Sequence, residues 1–250
     1  MNERDVAKGF ASHWGEFFPM LSANFINAFN EAYPQPIFGT KGIVRSIPFR
    51  GDPHHADLVA EFSFALAAAA HTAGIPVKVL TSDDEAKERA LVAAIENIRA
   101  HRGGGALPLL ELNRSEQLES IKIARVYESF LALWPTSEVV EFSPQLAGFG
   151  VLGSCQADLS VGQTLYEVKT VSRNFHSRDL RQLIVYLALG AASGVERWKY
   201  GGLLNPREGV FCRFSVDWLI ARLSGGQPPR LVLEDFLQAL SRDVVLDRRF

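Results

Sequence analysis

The sequence predicts an α/β (α+β) protein, with a mixed sheet packed between helices and preceded by a mostly helical N-terminal region. Three observations carry this. From residue 113 onward, runs of helical and strand period follow one another as helix, three strands, helix, then strands. Gly162-Gln163 stands between two strand-like runs, where a two-residue hairpin turn belongs. Before residue 103 the long apolar runs are of helical length, and Pro and Gly concentrate between residues 34 and 53.

Composition narrows the class. The chain has 250 residues, 47% apolar and 22% charged, with a formal net charge of −2, as in ordinary globular proteins. No overall basic excess advertises nucleic acid, although a local basic patch is enough to contact phosphates. The two cysteines, Cys155 and Cys212, form no Cys-x-x-Cys pair and argue against a zinc site. Met1 to Phe10 mixes charges of both signs and lacks the apolar core of a signal peptide. The longest apolar run, Ala60 to Ala70, contains Glu61 and is too short to cross a bilayer. The expectation is a cytoplasmic protein with no membrane association.

Along the chain, residues 3–31 read as mixed helix through Phe10, Trp14, Phe17, Phe18 and Leu21. Residues 34–53 read as loops or short strands. Ala56 to Thr72 is an Ala-rich, buried helix, and Pro76 to Leu80 reads as a strand. Ser82, with Glu85 three residues on, has the form of a capping box for a helix running to about Arg102. Gly103-Gly104-Gly105 then marks the main internal boundary. It separates a helical N-terminal region, 1–105, from a second region, 106–250. Asn113 or Ser115 opens the next helix, which Pro135 ends. Strand candidates follow at Val139 to Phe142, Gly153 to Val161 and Thr164 to Val171. A helix runs from Ser177 to about Ala192. Tyr200 to Leu204 and Gly209 to Phe214 form a hairpin, and helices close the chain.

A type II′ turn at Gly162-Gln163 fixes a register that sets Asp158 opposite Glu167, with Lys169 on the same strand face. Two opposed carboxylates repel, and a divalent cation between them removes that cost. A nearby lysine can orient or deprotonate a water, or stabilise charge on a phosphate. The same letters also fit the wet face of an edge hairpin.

These residues resemble the PD-(D/E)XK nuclease superfamily, whose pattern is an acid on one strand and (D/E)-x-K on the next. Here they are Asp158 and Glu167-Val168-Lys169, followed on the next helix by Gln182 and Tyr186 in a Q-x-x-x-Y arrangement found in a subset of that superfamily. The resemblance covers roughly residues 113 to 216. It implies a restriction-endonuclease-like αβββαβ core and a Mg²⁺-dependent nuclease, with Mn²⁺ able to substitute. Asp158 and Glu167 would hold the metal with the Val168 carbonyl, and Glu128 would join them directly or through water. Lys169 would act as base or electrostatic stabiliser, with Gln182 and Tyr186 bracing the site. The implied substrate is DNA, in processing, repair or phage defence. The alternative is an inactive nuclease-like module that binds nucleic acid or a partner protein.

Other clusters admit two readings. Arg173, His176, Arg178 and Arg181 can grip phosphates or form a solvated helix start. His54, His55, Asp57 and Glu61 read as helix capping and solvation rather than as a second metal site. The N-terminal region can supply specificity, a homodimer interface or a docking surface for a partner.

Overall fold

The structure is a computed structural model that describes residues 1–101, 111–194 and 197–247. Three short helices come first: α1 (Glu3–Lys8), α2 (Ala11–Phe17) and α3 (Ala23–Ala32). Short strands β1 (Gln35–Pro36), β2 (Phe38–Gly39) and β3 (Gly42–Ile43) precede helices α4 (Ala56–Ala73), α5 (Val77–Leu80) and α6 (Asp84–His101). Next come α7 (Arg114–Leu131), β4 (Val140–Phe142), β5 (Gln145–Leu146), β6 (Cys155–Gln156), β7 (Leu159–Val161) and β8 (Thr164–Val168). The chain continues with α8 (Ser177–Ala192), β9 (Tyr200–Asn205), β10 (Val210–Ser215), α9 (Val216–Leu223) and α10 (Pro229–Asp247).

Six strands form one mixed sheet in the order β1-β10-β9-β8-β7-β4; only β8 and β9 run parallel. α8 is the crossover between those two parallel strands, as parallel neighbours require. Both faces are covered. Leu159, Val161, Tyr166 and Leu204 pack in a core with α4 and α7, while Leu165, Leu203 and Phe214 pack with α8, α9, α10 and the N-terminal aromatics Trp14, Phe18 and Phe29. Segments from before and after residue 105 therefore share both cores, and β1 joins the main sheet. Gly103–Gly105 lies outside the described residues.

Local chemistry sets the element ends. Asn113 caps α7 by accepting from the Ser115 and Glu116 N–H groups, and Glu116 returns the bond to the Asn113 N–H. α4 stops at Gly74, in the left-handed conformation with φ +64°. The hairpin register is the predicted one: Val161 pairs with Thr164, Ser160 with Leu165 and Leu159 with Tyr166. Gly162 has φ +54°, which suits the first central residue of the turn.

Three local expectations are corrected. Residues 77–80 are a helical turn, because Val77 and Leu80 are buried three apart while Val79 is exposed, a helical rather than an alternating pattern. Asp83, not Ser82, caps α6, accepting from the Glu85 and Ala86 N–H groups at 2.9 and 3.3 Å. The run 153–161 is two strands rather than one. β6 pairs with β5 in a separate ladder, and the chain bends at Ala157 and Asp158 before β7 enters the main sheet.

Candidate active site

The bend at Asp158 shapes the site. The β7–β8 ladder ends at Leu159 and Tyr166, one pair short of Asp158 and Glu167. The Asp158 carbonyl instead accepts the Ser143 N–H at 2.8 Å, and its carboxylate Oδ2 accepts the Val168 N–H at 2.6 Å. Asp158 is thus pinned across the end of β8, beside Glu167, and lines a small pocket with Val168, Thr170 and Tyr186.

Glu167 lies on the α8 side of β8 and is fully buried. The Lys169 ammonium pairs with its Oε1, and its Oε2 receives no hydrogen bond. Burial, reinforced by the charge of Asp158, pushes the Glu167 carboxyl up to about 8 against the pull of Lys169. Burial also works against the Lys169 charge, but Glu167 and Asp158 outweigh it and hold the ammonium above the ordinary lysine range.

α8 supplies the bracing. Lys169 Nζ donates to Gln182 Oε1 at 3.0 Å, and Gln182 Nε2 donates to the Tyr186 hydroxyl at 2.9 Å. Gln182 and Tyr186 are four residues apart on one helix face, which is what lets one side chain reach the other. Burial and the two nearby carboxylates raise the Tyr186 phenol well above its usual range, so it stays neutral.

The remaining predicted residues fall in different places. Glu128 is not brought to the site: it is exposed, and its carboxylate accepts the Val77 N–H at 3.3 Å. Its neighbour Tyr127, 1% exposed, lines the pocket in its place. Glu61 from α4 enters the same pocket and accepts from Asn97 Nδ2 at 2.6 Å. Arg173 is gripped by both oxygens of Asp179, at 2.7 and 3.0 Å. His176 is exposed at the start of α8, with its backbone N–H donated to Asp179. The Arg181 guanidinium stacks over the Trp14 ring at 5.2 Å. Arg178 is exposed along a groove that also holds Lys169. His55 turns to Glu116 at 3.1 Å, so the histidine pair does not converge with Glu61.

Sequence reasoning did not assign Glu61, Tyr127 or Arg4, which also lines the pocket. The signal for Glu61 is that it is the one acid inside the apolar run 60–70.

The donor set suits a hard divalent cation in one respect: two adjacent carboxylates, one of them buried with its Oε2 free of hydrogen bonds. Among the described residues, no group of three or more His, Cys, Asp or Glu side chains is arranged to hold a metal ion. No helix among the described residues is long and apolar enough to cross a membrane.

No protein-family model, no curated protein and no solved structure matches this chain.

Proposed function

We propose that the chain is a divalent-metal-dependent nuclease, most readily of DNA, with a restriction-endonuclease-like core. One observation carries the reading. Asp158, Glu167 and Lys169 meet at the end of one hairpin, and Lys169 is held there by Gln182 and Tyr186 from the next helix. A structural hairpin has little use for a fully buried glutamate set against a second acid, with one lysine to offset the two. Burial and the second acid both work against its charge.

Asp158 and Glu167 would hold Mg²⁺ or Mn²⁺, with the Val168 carbonyl as a further ligand. The bound ion would neutralise the phosphate and acidify the attacking water. Lys169, held above the ordinary lysine range by Glu167 and Asp158, would serve as a cation toward the phosphate. Gln182 orients that cation, and the neutral Tyr186 phenol orients Gln182.

The test is cleavage of labelled DNA and RNA, single- and double-stranded, by purified protein with Mg²⁺ or Mn²⁺. Activity lost in Asp158→Ala and Lys169→Ala, with the fold intact by circular dichroism, supports the reading. No cleavage of any form by the native chain overturns it.

The lack of a third acidic or histidine ligand among the described residues favours a second reading, an inactive module that binds nucleic acid or a partner protein. Divalent-cation titration separates the two. No metal binding, with salt-dependent DNA affinity retained, supports the module.

A further inference from the structure

We propose that α1 and the start of α8 form a clamp for one strand of nucleic acid, with Arg4, Lys8 and Arg178 on its phosphates. The inference rests on the nuclease reading for what the strand is delivered to, and on separate residues for how it is held.

α1 is fixed in place rather than loose. Val6, Ala7 and Glu3 are 0, 1 and 5% exposed, and Trp14 Nε1 donates to the Val6 carbonyl at 2.9 Å. The Gly153 N–H donates to the Met1 carbonyl at 3.2 Å, tying the start of the chain to the loop before β6. α1 leaves Arg4, Asp5 and Lys8 exposed; Asp5 is turned to the Asn2 capping box, and Arg4 and Lys8 lie one helical turn apart on one face.

These cations are only lightly engaged. Among the described residues, Arg4 makes no hydrogen bond and approaches only Glu3, at 3.7 Å, and Lys8 has no carboxylate partner. Arg178, exposed across the groove on α8, has none either. Arg173 and Arg181 differ, being consumed by Asp179 and Trp14. The groove lining carries Arg4, Lys8, Lys169, Arg173 and Arg178 against Asp57, Glu61 and Asp179, a cationic excess that suits an anionic ligand.

Their position gives the ligand its form. Arg4, Lys8 and Arg178 line a groove of about 340 Å³ that runs past Lys169 and Gln182. That groove shares Arg4, Glu61, Val168 and Thr170 with the pocket over Asp158. The pocket holds only about 90 Å³, and Glu167, beside Val168 in its wall, has no exposed surface. A duplex is a stiff rod that cannot thread a phosphodiester into such a recess, whereas a single strand can.

The experiment is fluorescence anisotropy of the full chain with labelled single-stranded DNA, single-stranded RNA and duplex DNA of equal length, in EDTA so that nothing is cut. Arg4→Gln/Lys8→Gln should weaken single-strand binding at least about tenfold at low salt. It should also reduce the slope of log affinity against log salt by about 1.4, the value for two lost single-strand phosphate contacts. Lys122→Gln/Arg125→Gln removes the same charge from the exposed face of α7 and should leave both unchanged. Whichever of DNA or RNA binds more tightly is the strand the clamp takes. The clamp is overturned if native protein binds no single strand, if duplex binds as tightly, or if the α1 and α7 variants behave alike. Normal binding losses with no cleavage under any divalent cation would leave the clamp standing and remove the nuclease reading. Cleavage with unaltered variant binding would do the reverse.

Discussion

Lys169 and Gln182 are joined by a hydrogen bond of 3.0 Å from ammonium to amide oxygen, bridging β8 and α8. An ammonium can only donate, so the amide must turn its oxygen to Lys169 and its NH₂ to Tyr186. The direction of the relay is therefore set by chemistry, and its end point is the position of one positive charge.

Lys169→Ala should lower kcat by about 10²–10³, the usual loss when a placed transition-state cation or donor is removed. Lys169→Arg should not rescue it, because a planar guanidinium cannot replace a point charge held by one amide. Tyr186→Phe should cost less than about tenfold, since the phenol acts only through Gln182. Steady-state rates on the preferred substrate measure all three. A Lys169→Ala enzyme at native rate would remove the cation from the mechanism.

Glu167 predicts a pH dependence of stability. Its carboxyl is raised from 4.5 to about 8, first by burial and then by Asp158. A raised acid stabilises the fold while it is protonated. Its contribution is complete below the ordinary value and is lost as pH rises through about 8. Lys169, held above the ordinary lysine range, does not titrate in that window. Metal-free protein should therefore melt at lower temperature at about pH 8.5 than at about pH 6, with Mg²⁺ restoring more at the higher pH. Glu167→Gln should flatten the pH profile and abolish the Mg²⁺ response. Thermal melts across pH with and without Mg²⁺ read this directly, and an equal Mg²⁺ shift in Glu167→Gln would contradict it.

What the sequence made legible was local. The turn at Gly162-Gln163 sets the β7–β8 register between neighbouring strands, and Gln182 and Tyr186 need only a helix to meet. The Glu128 expectation failed on helix phase. Successive residues are about 100° apart on a helix, and the buried face of α7 runs through Ser120, Ile123, Ala124, Tyr127 and Phe130. Tyr127 belongs to that face and Glu128 does not. Glu61 and Arg4 were harder to place, because they reach the pocket from elements distant in sequence, through tertiary packing that no local pattern encodes. The bend at Asp158 likewise depends on Ser143 and Pro144, well upstream.

Arg173 and Arg178 flank the start of α8 and should behave oppositely. Arg173 forks onto Asp179, which is 2% exposed and also accepts the His176 N–H. Arg173→Ala should cost about 1–3 kcal/mol, the penalty for leaving a buried hydrogen-bonded group without its partner. Arg178→Ala should stay within about 0.5 kcal/mol, as surface substitutions do, and weaken nucleic-acid binding instead. Urea denaturation and anisotropy on the same two variants separate the roles. Equal stability losses would mean that Arg178 also holds the helix start.

Away from the site, Arg207 makes the sharpest stability prediction. It is 2% exposed, pairs with Glu119 Oε1 at 2.7 Å, donates to the Ile47 carbonyl at 2.9 Å and lies over the Phe49 ring. Glu119 Oε2 in turn accepts the Arg50 N–H at 3.3 Å, so the pair fastens the segment before α4 to α7. Removing one member strands a buried charge. Arg207→Met should cost about 3–5 kcal/mol, and Glu119→Leu a similar amount. The double variant should be less destabilised than the two single losses added together, because it leaves no orphaned charge. Urea unfolding of the four proteins gives the coupling. Strictly additive losses would show that the segment is held by Phe49 and its apolar neighbours, with the ion pair contributing nothing.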